Sequence, residues 1–126
     1  MLYVKTKLKK SKISGIGLFA DEPIPKGTLV WKFDPNIDLL LSKEEIEKLS
    51  KPAQEQIYKY GFLDAASNKF MLCGDDARFF NHSPQNNCDD SQADITVAIR
   101  NIIPGEELTV NYKDFYGCIE NLSFLI

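Results

Sequence analysis

Turn-forming residues interrupt this chain so often that long regular elements are not expected outside one segment. Pro, Gly, Asn and Asp cluster at residues 23–27, 34–36 and 104–105. Proline fixes φ and glycine accepts positive φ, so each cluster suits a tight turn. The runs between the turns have the length and composition of β-strands, and the sequence therefore predicts a mostly β protein. The predicted strands span residues 2–8, 17–20, 28–33, 70–73, 94–100 and 107–110.

One segment departs from this pattern and predicts a short helical insert. Ser42 followed by Glu45 is a capping-box signature. Apolar or aromatic side chains then recur at helical spacing at Ile46, Leu49, Ala53, Ile57 and Tyr60. Pro52 disfavours helix at the residue before it. We therefore expect a broken helix, with a first piece near residues 43–49 and a second piece ending near Tyr60.

The length and composition fit a single globular domain spanning residues 1–126. With 44% hydrophobic and 26% charged residues, a chain of 126 residues can bury a core without disulfides or a metal. No apolar run approaches the ~20 residues that a membrane span requires, and the first ten residues lack the apolar core of a signal peptide. No membrane partner is expected.

The cysteines indicate the compartment. Cys73, Cys88 and Cys118 are widely spaced and form no CxxC pair, which favours free thiols in a reducing environment. We expect a cytoplasmic protein, or a nuclear one if the source is a eukaryote or its virus.

The net charge gives no reason to expect direct nucleic-acid binding. Fifteen basic side chains against eighteen acidic ones leave a charge of -3. Five lysines nevertheless lie within residues 5–12, and their alternation with Leu2, Val4, Thr6 and Leu8 predicts a half-buried strand with a basic outer face. A solvated edge strand, protected by lysine against mispairing, is the preferred interpretation. A docking face for an acidic partner is the alternative.

Two glycines one residue apart, in Ser14-Gly15-Ile16-Gly17-Leu18, precede a predicted strand. They allow a tight turn and close approach of the backbone to a ligand. The segment is not the dinucleotide fingerprint, because the third glycine, the following helix and the distal acidic residue are missing. Taken alone, the segment is best explained as a simple hairpin turn.

The segment Arg78-Phe79-Phe80-Asn81-His82-Ser83 places two aromatic rings between polar side chains that need partners when buried. Such a cluster suits a shaped polar pocket. His82 is the only histidine, so a histidine metal site is not expected. Taken in isolation, a structural histidine with satisfied hydrogen bonds is a better interpretation than a catalytic one.

The segment Gly105-Glu106-Glu107-Leu108-Thr109-Val110-Asn111-Tyr112 predicts a turn leading into a short strand that ends on a tyrosine. Singly, Tyr112 and the nearby Phe115 and Tyr116 could each be ordinary packing. The order of the three motifs along the chain favours a functional role instead. The chain resembles the SET-domain protein lysine methyltransferases over nearly its whole length. The resemblance lies in four stretches that follow the family's order: SGIGLFA with IPKGTLV, then FLDAA, GDDARFFNHS and GEELTVNY.

The resemblance implies the fold and the cofactor. SET proteins have a small, curved β-clip fold in which the carboxy-terminal segment forms a pseudoknot beneath a loop next to the NHS strand. S-adenosylmethionine would be the cofactor, with backbone groups of Ile16, Gly17 and His82 doing much of the binding. The residues implied to bind it are Ser14, Gly15, Ile16, Gly17, Leu18, Arg78, Phe79, Asn81, His82 and Tyr112.

The resemblance also implies the reaction, a methyl transfer to the lysine amine of a protein or peptide substrate. Tyr112 would be the catalytic residue, orienting the amine and the methyl group. Tyr60 and Tyr116, with Phe80 or Phe115, would line the channel through which the lysine enters, and Tyr58 competes with Tyr60 for its place. The amine must first lose its proton, which an apolar aromatic channel favours.

The chain departs from the family pattern at several positions. The common NHSCxPN is NHSPQNN here, with Asn87 retained, and Asn111 replaces the acid that often precedes the catalytic tyrosine. The cysteine-rich zinc segments that flank many relatives are missing. Phe115, Tyr116 and residues 124–126, or a second copy of the chain in a homodimer, are the candidates for closing the channel.

Three alternatives remain, of which a purely structural role is the least favoured because it leaves the clustered polar residues unexplained. A SET-like module that binds a peptide or protein without turnover would have no chemical need for Asn81, His82 and Tyr112 together. An enzyme of the same type acting on a small amine or a non-lysine side chain is not excluded by the sequence.

Overall fold

The structure is a computed structural model, and it describes residues 1–64, 66–92 and 94–111. Short strands and one helical insert make up its elements. The strands are β1 (Thr6–Lys10), β2 (Ile16–Ala20), β3 (Leu29–Lys32), β4 (Leu39–Leu41), β5 (Phe62–Asp64), β6 (Lys69–Leu72), β7 (Asn81–His82), β8 (Cys88–Asp89), β9 (Ile95–Ala98) and β10 (Thr109–Val110). The helices are α1 (Lys43–Glu47) and α2 (Lys51–Tyr60), and a 3₁₀ turn spans Asp76–Phe79.

The described strands form four small sheets. β1 pairs with β2; β9 lies between β3 and β8; β6 lies between β4 and β5; and β10 lies beside β7. All these pairs are antiparallel except β7 with β10, which are parallel. A mostly β protein with a short helical insert is therefore confirmed.

The helical insert follows the sequence prediction. Ser42 accepts a hydrogen bond from the Glu45 N–H, and the Glu45 carboxylate accepts one from the Ser42 N–H, which closes the capping box at 3.1 and 3.0 Å. Ser50 caps α2, and Pro52 lies in its first turn, where a backbone N–H would have no intrahelical partner in any case. The predicted break is confirmed, and α1 ends two residues earlier than expected.

The amino-terminal strand differs from the prediction. β1 begins at Thr6, while Leu2 forms only an isolated bridge with Trp31. Leu8 is 39% exposed instead of buried. Among the described residues β1 pairs only with β2, and Leu8 belongs to none of the apolar clusters. β1 is an edge strand.

Three apolar clusters form the interior of the described chain. The largest joins β2, β3, β9 and β10, and its members are Leu18, Ala20, Ile24, Val30, Cys88, Ala98, Ile102, Leu108 and Val110. A second is built around Trp31 and Met71, and a third joins Ile46 and Ile57 of the helices to Phe70 of β6. Because Leu18 and Leu108 are both fully buried, the core fixes the strand after the glycine loop against the carboxy-terminal signature. In the described part of the chain, no helix is long and apolar enough to cross a membrane.

Candidate active site

The two signature segments meet through a parallel strand pair. Asn81 lies opposite Thr109 and His82 opposite Val110 in the β7–β10 register. The pairing continues one residue further, where the Ser83 N–H donates to the Val110 carbonyl at 2.9 Å. Residues about thirty positions apart are thereby neighbours, as the family resemblance implies.

The loop between β7 and β8 holds β10 through Asn87, whose side chain is buried. Its Oδ1 accepts from the Thr109 N–H at 2.9 Å, and its Nδ2 donates to the Glu107 carbonyl at 2.8 Å. The Asn87 N–H also reaches Thr109 Oγ1 at 3.3 Å. One amide thus satisfies a backbone donor and a backbone acceptor of the segment beside this loop, where the family resemblance places the carboxy-terminal pseudoknot.

The glycine loop folds back on Ser11. The Ser11 N–H donates to the Gly15 carbonyl at 2.8 Å, and Ser11 Oγ accepts from the Ile13 and Ser14 N–H groups at 2.9 and 3.3 Å. Gly15 has φ of 49°, a left-handed conformation that favours glycine. Ser14, Gly15 and Ile16 are exposed, which leaves the outer side of the loop open to a ligand.

Asn81 ties this loop to the strand pair. Its Nδ2 donates to the Ser14 carbonyl at 3.1 Å and lies 3.5 Å from the Ile16 carbonyl. The same nitrogen donates to Glu107 Oε2 at 2.8 Å. The structure therefore brings together three of the residues that the sequence placed at the cofactor, one from the NHS strand and two from the glycine loop.

Glu107 belongs to this site and was not among the residues predicted for it. Its carboxylate accepts from Ser11 Oγ at 2.8 and 2.9 Å as well as from Asn81. Its Oε2 would lie 2.5 Å from a Cβ built on Gly17, so glycine is needed there for packing. The sequence offers two adjacent glutamates, and the hydrogen bonds of the folded chain show that Glu107 faces the loop while Glu106 bonds Arg100.

Two predicted cofactor residues use their side chains elsewhere. Leu18 is fully buried in the core, so only its backbone is available to a ligand. The Arg78 guanidinium donates to the Cys73 carbonyl at 3.0 Å, and within the described ranges the structure gives no bond from it to the glycine loop. His82 is half-buried on β7.

The aromatic side chains separate into two groups. The Tyr60 ring lies edge-on to the Phe79 ring with centroids 5.3 Å apart, whereas Tyr58 packs on Phe70 at 5.2 Å in the helical cluster. Tyr60 therefore adjoins the RFFNHS segment, and Tyr58 does not share that contact. Phe80 packs against two core clusters. Tyr112, Phe115, Tyr116 and residues 124–126 lie outside the described residues.

The pKa shifts of two cysteines and one glutamate have structural causes. Burial raises the pKa of the Cys88 thiol to about 12, and burial with the nearby Asp38 and Asp75 charges also raises that of Cys73. Burial alone would raise the pKa of Glu106, but the Arg100 guanidinium and the Ile103 N–H together lower it. Over the ranges that the structure describes, no group of three or more His, Cys, Asp or Glu side chains could hold a metal ion.

The glycine loop bonded to the Asn-His strand, with β10 lying beside that strand, is the arrangement that the resemblance to the SET-domain β-clip fold implies. The family model of the SET domain matches residues 15–113. The chain belongs to the SET domain family.

Curated relatives carry the same assignment. Human histone-lysine N-methyltransferase 2D is 31% identical over 116 residues, which cover 84% of this chain and 2% of that protein. The Drosophila melanogaster histone-lysine N-methyltransferase trr is 32% identical over 113 residues, covering 84% and 5%. A Mycosarcoma maydis enzyme specific for histone H3 lysine 36 is 29% identical over 126 residues, covering 91% and 13%. The chain spans between 2% and 13% of the length of these relatives.

Solved structures agree. Chaetomium thermophilum Polycomb Repressive Complex 2 bound to GSK126 matches with a TM-score of 0.68 and 25% identity, over 95% of this chain and 17% of that one. The ctPRC2 complex in an autoinhibited conformation, bound to S-adenosylmethionine, matches at 0.66 and 26% identity over 95% and 16%. A Plasmodium falciparum protein described as a histone methyltransferase shares the fold at 0.60 and 19% identity, over 88% and 95%. The expected fold class and family are confirmed.

Proposed function

We propose that this protein is an S-adenosylmethionine-dependent protein-lysine N-methyltransferase formed by a single SET domain. Family membership, relatives that are histone-lysine methyltransferases and a neighbour bound to S-adenosylmethionine support the proposal. The observation that carries it is the bonding of Asn81 to the glycine loop while its strand lies beside β10, two residues before Tyr112.

The residues present fit S-adenosylmethionine. Gly15 has no atom within 4 Å of a Cβ built on it, so space is open beside the loop. The Asn81 amide nitrogen is occupied by the loop and Glu107, and no donor in the described part of the chain reaches its Oδ1. The exposed loop backbone can donate hydrogen bonds, and the Asn81 carbonyl oxygen can accept one, so together they suit a ligand that carries both hydrogen-bond acceptors and an ammonium group.

When bound, S-adenosylmethionine supplies an electrophilic methyl on a sulfonium. The protein's task is alignment, since an in-line transfer depends on holding donor and amine in register. Asn81, His82 and the backbone of residues 14–17 would hold the cofactor. Tyr112 would orient the amine, and Tyr60 with Phe79 and Phe80 would provide aromatic surface that excludes water.

The lysine must arrive neutral to attack the methyl carbon. Its free pKa is ~10.4, and an apolar, aromatic channel lowers it because burial penalises the ammonium form. A nearby sulfonium lowers it further by charge repulsion. No side chain therefore needs to be assigned as a strong base.

The substrate we propose is a lysine in a histone or another protein. The named activities of the relatives support a histone, which favours the nuclear alternative over the cytoplasmic one. A homodimer, or closure of the channel by residues after Asn111, remains a hypothesis for the lid. Direct nucleic-acid binding is still not expected from the net charge of -3.

A radiolabelled methyl-transfer assay tests the function. The native chain and Tyr112→Phe are incubated with labelled S-adenosylmethionine and either purified histones or host lysate. We expect label on lysine with the native chain and a loss of at least ~100-fold in rate with Tyr112→Phe, as for other single catalytic groups. Cofactor binding without transfer to any protein would favour the non-catalytic binding module, and transfer unaffected by Tyr112→Phe would contradict the role of Tyr112.

A further inference from the structure

We propose that Glu107 is a positioning residue that fixes the glycine loop and orients the Asn81 amide toward the cofactor. The inference rests on the proposed function, because it assigns a role within the same site. The Glu107 carboxylate is surrounded by hydrogen-bond donors, and it lies far in sequence from the loop that it holds. Ser11 and Glu107 are 96 residues apart.

The Glu107 carboxylate determines which end of the Asn81 amide faces it. An ionised carboxylate can only accept hydrogen bonds, so the Asn81 NH₂ group, and not its oxygen, must point toward Oε2 at 2.8 Å. The second amide proton then meets the Ser14 carbonyl at 3.1 Å. With both protons used, Asn81 Oδ1 is directed away from the loop, where it can accept from a ligand.

The same carboxylate anchors the loop itself. Ser11 Oγ donates to both carboxylate oxygens and at the same time accepts from the Ile13 and Ser14 N–H groups. The Ser11 hydroxyl thus links Glu107 to the turn that carries Gly15, so a shift of the carboxylate would also shift the turn. The absence of a Cβ on Gly17 lets the carboxylate approach the loop closely.

Glu107 can act as an anchor because its own backbone is held on two sides. Its carbonyl accepts from Asn87 Nδ2 at 2.8 Å, and it forms an isolated bridge with Phe19 of β2. Its neighbour Leu108 is fully buried and donates its N–H to the Leu18 carbonyl at 2.8 Å. The carboxylate therefore projects from rigid backbone.

The chain offers a matched control in Glu106. Its carboxylate accepts from Arg100 Nη1 at 2.8 Å and from the Ile103 N–H at 2.6 Å, whereas the Ser11 and Asn81 side chains donate to Glu107. Glu106→Gln therefore removes a charge from the adjacent residue without touching the loop.

The test compares Glu107→Gln with Glu106→Gln by calorimetric titration with S-adenosylmethionine and by hydrogen exchange of residues 12–16. A glutamine is nearly isosteric but can present its own NH₂ group, which lets Asn81 turn over. We expect Glu107→Gln to raise the dissociation constant about tenfold to a hundredfold, as loss of a charged hydrogen bond does, and Glu106→Gln to leave it unchanged. In Glu107→Gln the KM for the cofactor should rise, whereas the KM for the protein substrate should stay unchanged.

A structural role alone would give a different result. In that case Glu107→Gln would lower the melting temperature and the bound stoichiometry, while the folded fraction kept its native dissociation constant, and the proposal would be overturned. Hydrogen exchange is informative even if the native chain binds no S-adenosylmethionine. Faster exchange at residues 12–16 in Glu107→Gln, and not in Glu106→Gln, supports positioning of the loop; equal exchange in all three chains contradicts it.

A double substitution tests the orientation directly. Asn81→Asp removes the amide donor and places two carboxylates against each other, which should abolish cofactor binding. Adding Glu107→Gln relieves that repulsion, and we expect cofactor binding to be partly recovered. A double variant that binds the cofactor no better than Asn81→Asp would show that the two side chains do not act on one another.

Discussion

Gly17 shows how a single residue can be fixed by a side chain from the other end of the chain. A Cβ there would lie 2.5 Å from Glu107 Oε2 and 3.0 Å from Ser11 Cβ. The carboxylate cannot simply swing aside, because Ser11 and Asn81 both bond to it. The requirement for glycine comes from packing, whereas at Gly15 it comes from a φ of 49°.

Gly17→Ala should therefore lower both stability and cofactor affinity. Overpacking costs about 1–3 kcal/mol, and displacement of Glu107 should weaken S-adenosylmethionine binding. Gly27→Ala is the control, since Gly27 has a φ of 88° with nothing within 4 Å of its Cβ. It should cost roughly 1 kcal/mol and leave cofactor affinity unchanged. Urea denaturation and calorimetry measure the two effects, and equal cofactor affinity in Gly17→Ala and the native chain would contradict the packing argument.

Sequence reasoning reached part of the site at this scale. Asn81, Ser14 and Ile16 were assigned from the order of the motifs, and the structure places them together. Glu107 was missed because adjacent glutamates look alike in a sequence, and the side that each faces depends on a bridge to Phe19 of a distant strand. Roles for Tyr112, Phe115 and Tyr116 remain predictions.

At the scale of elements, local residue patterns predicted the helical insert, whereas long-range strand pairing was implied only by the family resemblance. The capping box of Ser42 and Glu45 acts within three residues, so the sequence alone located the start of α1. β4, β5, β7 and β8 are only two or three residues long; β4 and β8 were not predicted, and strands at β5 and β7 were implied only by the family resemblance. Strands that short have no measurable period, and their existence depends on partners elsewhere in the chain.

The β7–β10 pair makes a prediction about Asn87. Asn87→Ala would leave the buried Thr109 N–H and the Glu107 carbonyl without their side-chain partner, at a cost of roughly 1–3 kcal/mol for each group. We expect a total loss of about 2–4 kcal/mol in the free energy of unfolding, measured by urea denaturation. Gln85→Ala, an exposed position in the same loop, should change it by less than ~0.5 kcal/mol. If Asn87→Ala also changed the free energy of unfolding by less than ~0.5 kcal/mol, β10 would be held by other contacts.

For the whole molecule, two buried thiols predict a loss of stability in alkali. The pKa of Cys88 is raised to about 12 in the folded chain, and that of Cys73 is raised as well. Above the unfolded thiol pKa of ~8.5 the unfolded chain loses these protons while the folded chain keeps them, so stability falls as pH rises. The fall should be on the order of 2 kcal/mol per thiol by about pH 10.

The comparison needs a chain without these thiols. Urea denaturation at neutral and alkaline pH should show a shallower decline for the Cys73→Ala, Cys88→Ala double variant than for the native chain. Equal declines would assign the effect to other groups that titrate in alkali.

The overall architecture was accessible from the sequence because the order of four motifs is specific to one family, and the family model confirms it over residues 15–113. The amino terminus was less accessible. The alternation around Leu8 predicted a buried face, but Leu8 is 39% exposed and belongs to none of the described apolar clusters. Amphipathic spacing shows which side chains share a face, and it does not show whether anything covers that face.

Calorimetric titration of the native chain with S-adenosylmethionine tests the central proposal most directly, because the glycine loop, Asn81 and Glu107 have a common function only if they hold this cofactor. Saturable binding with one site per chain, weakened by Glu107→Gln and unchanged by Glu106→Gln, is the predicted result. A native chain that is folded and yet takes up no S-adenosylmethionine would contradict it.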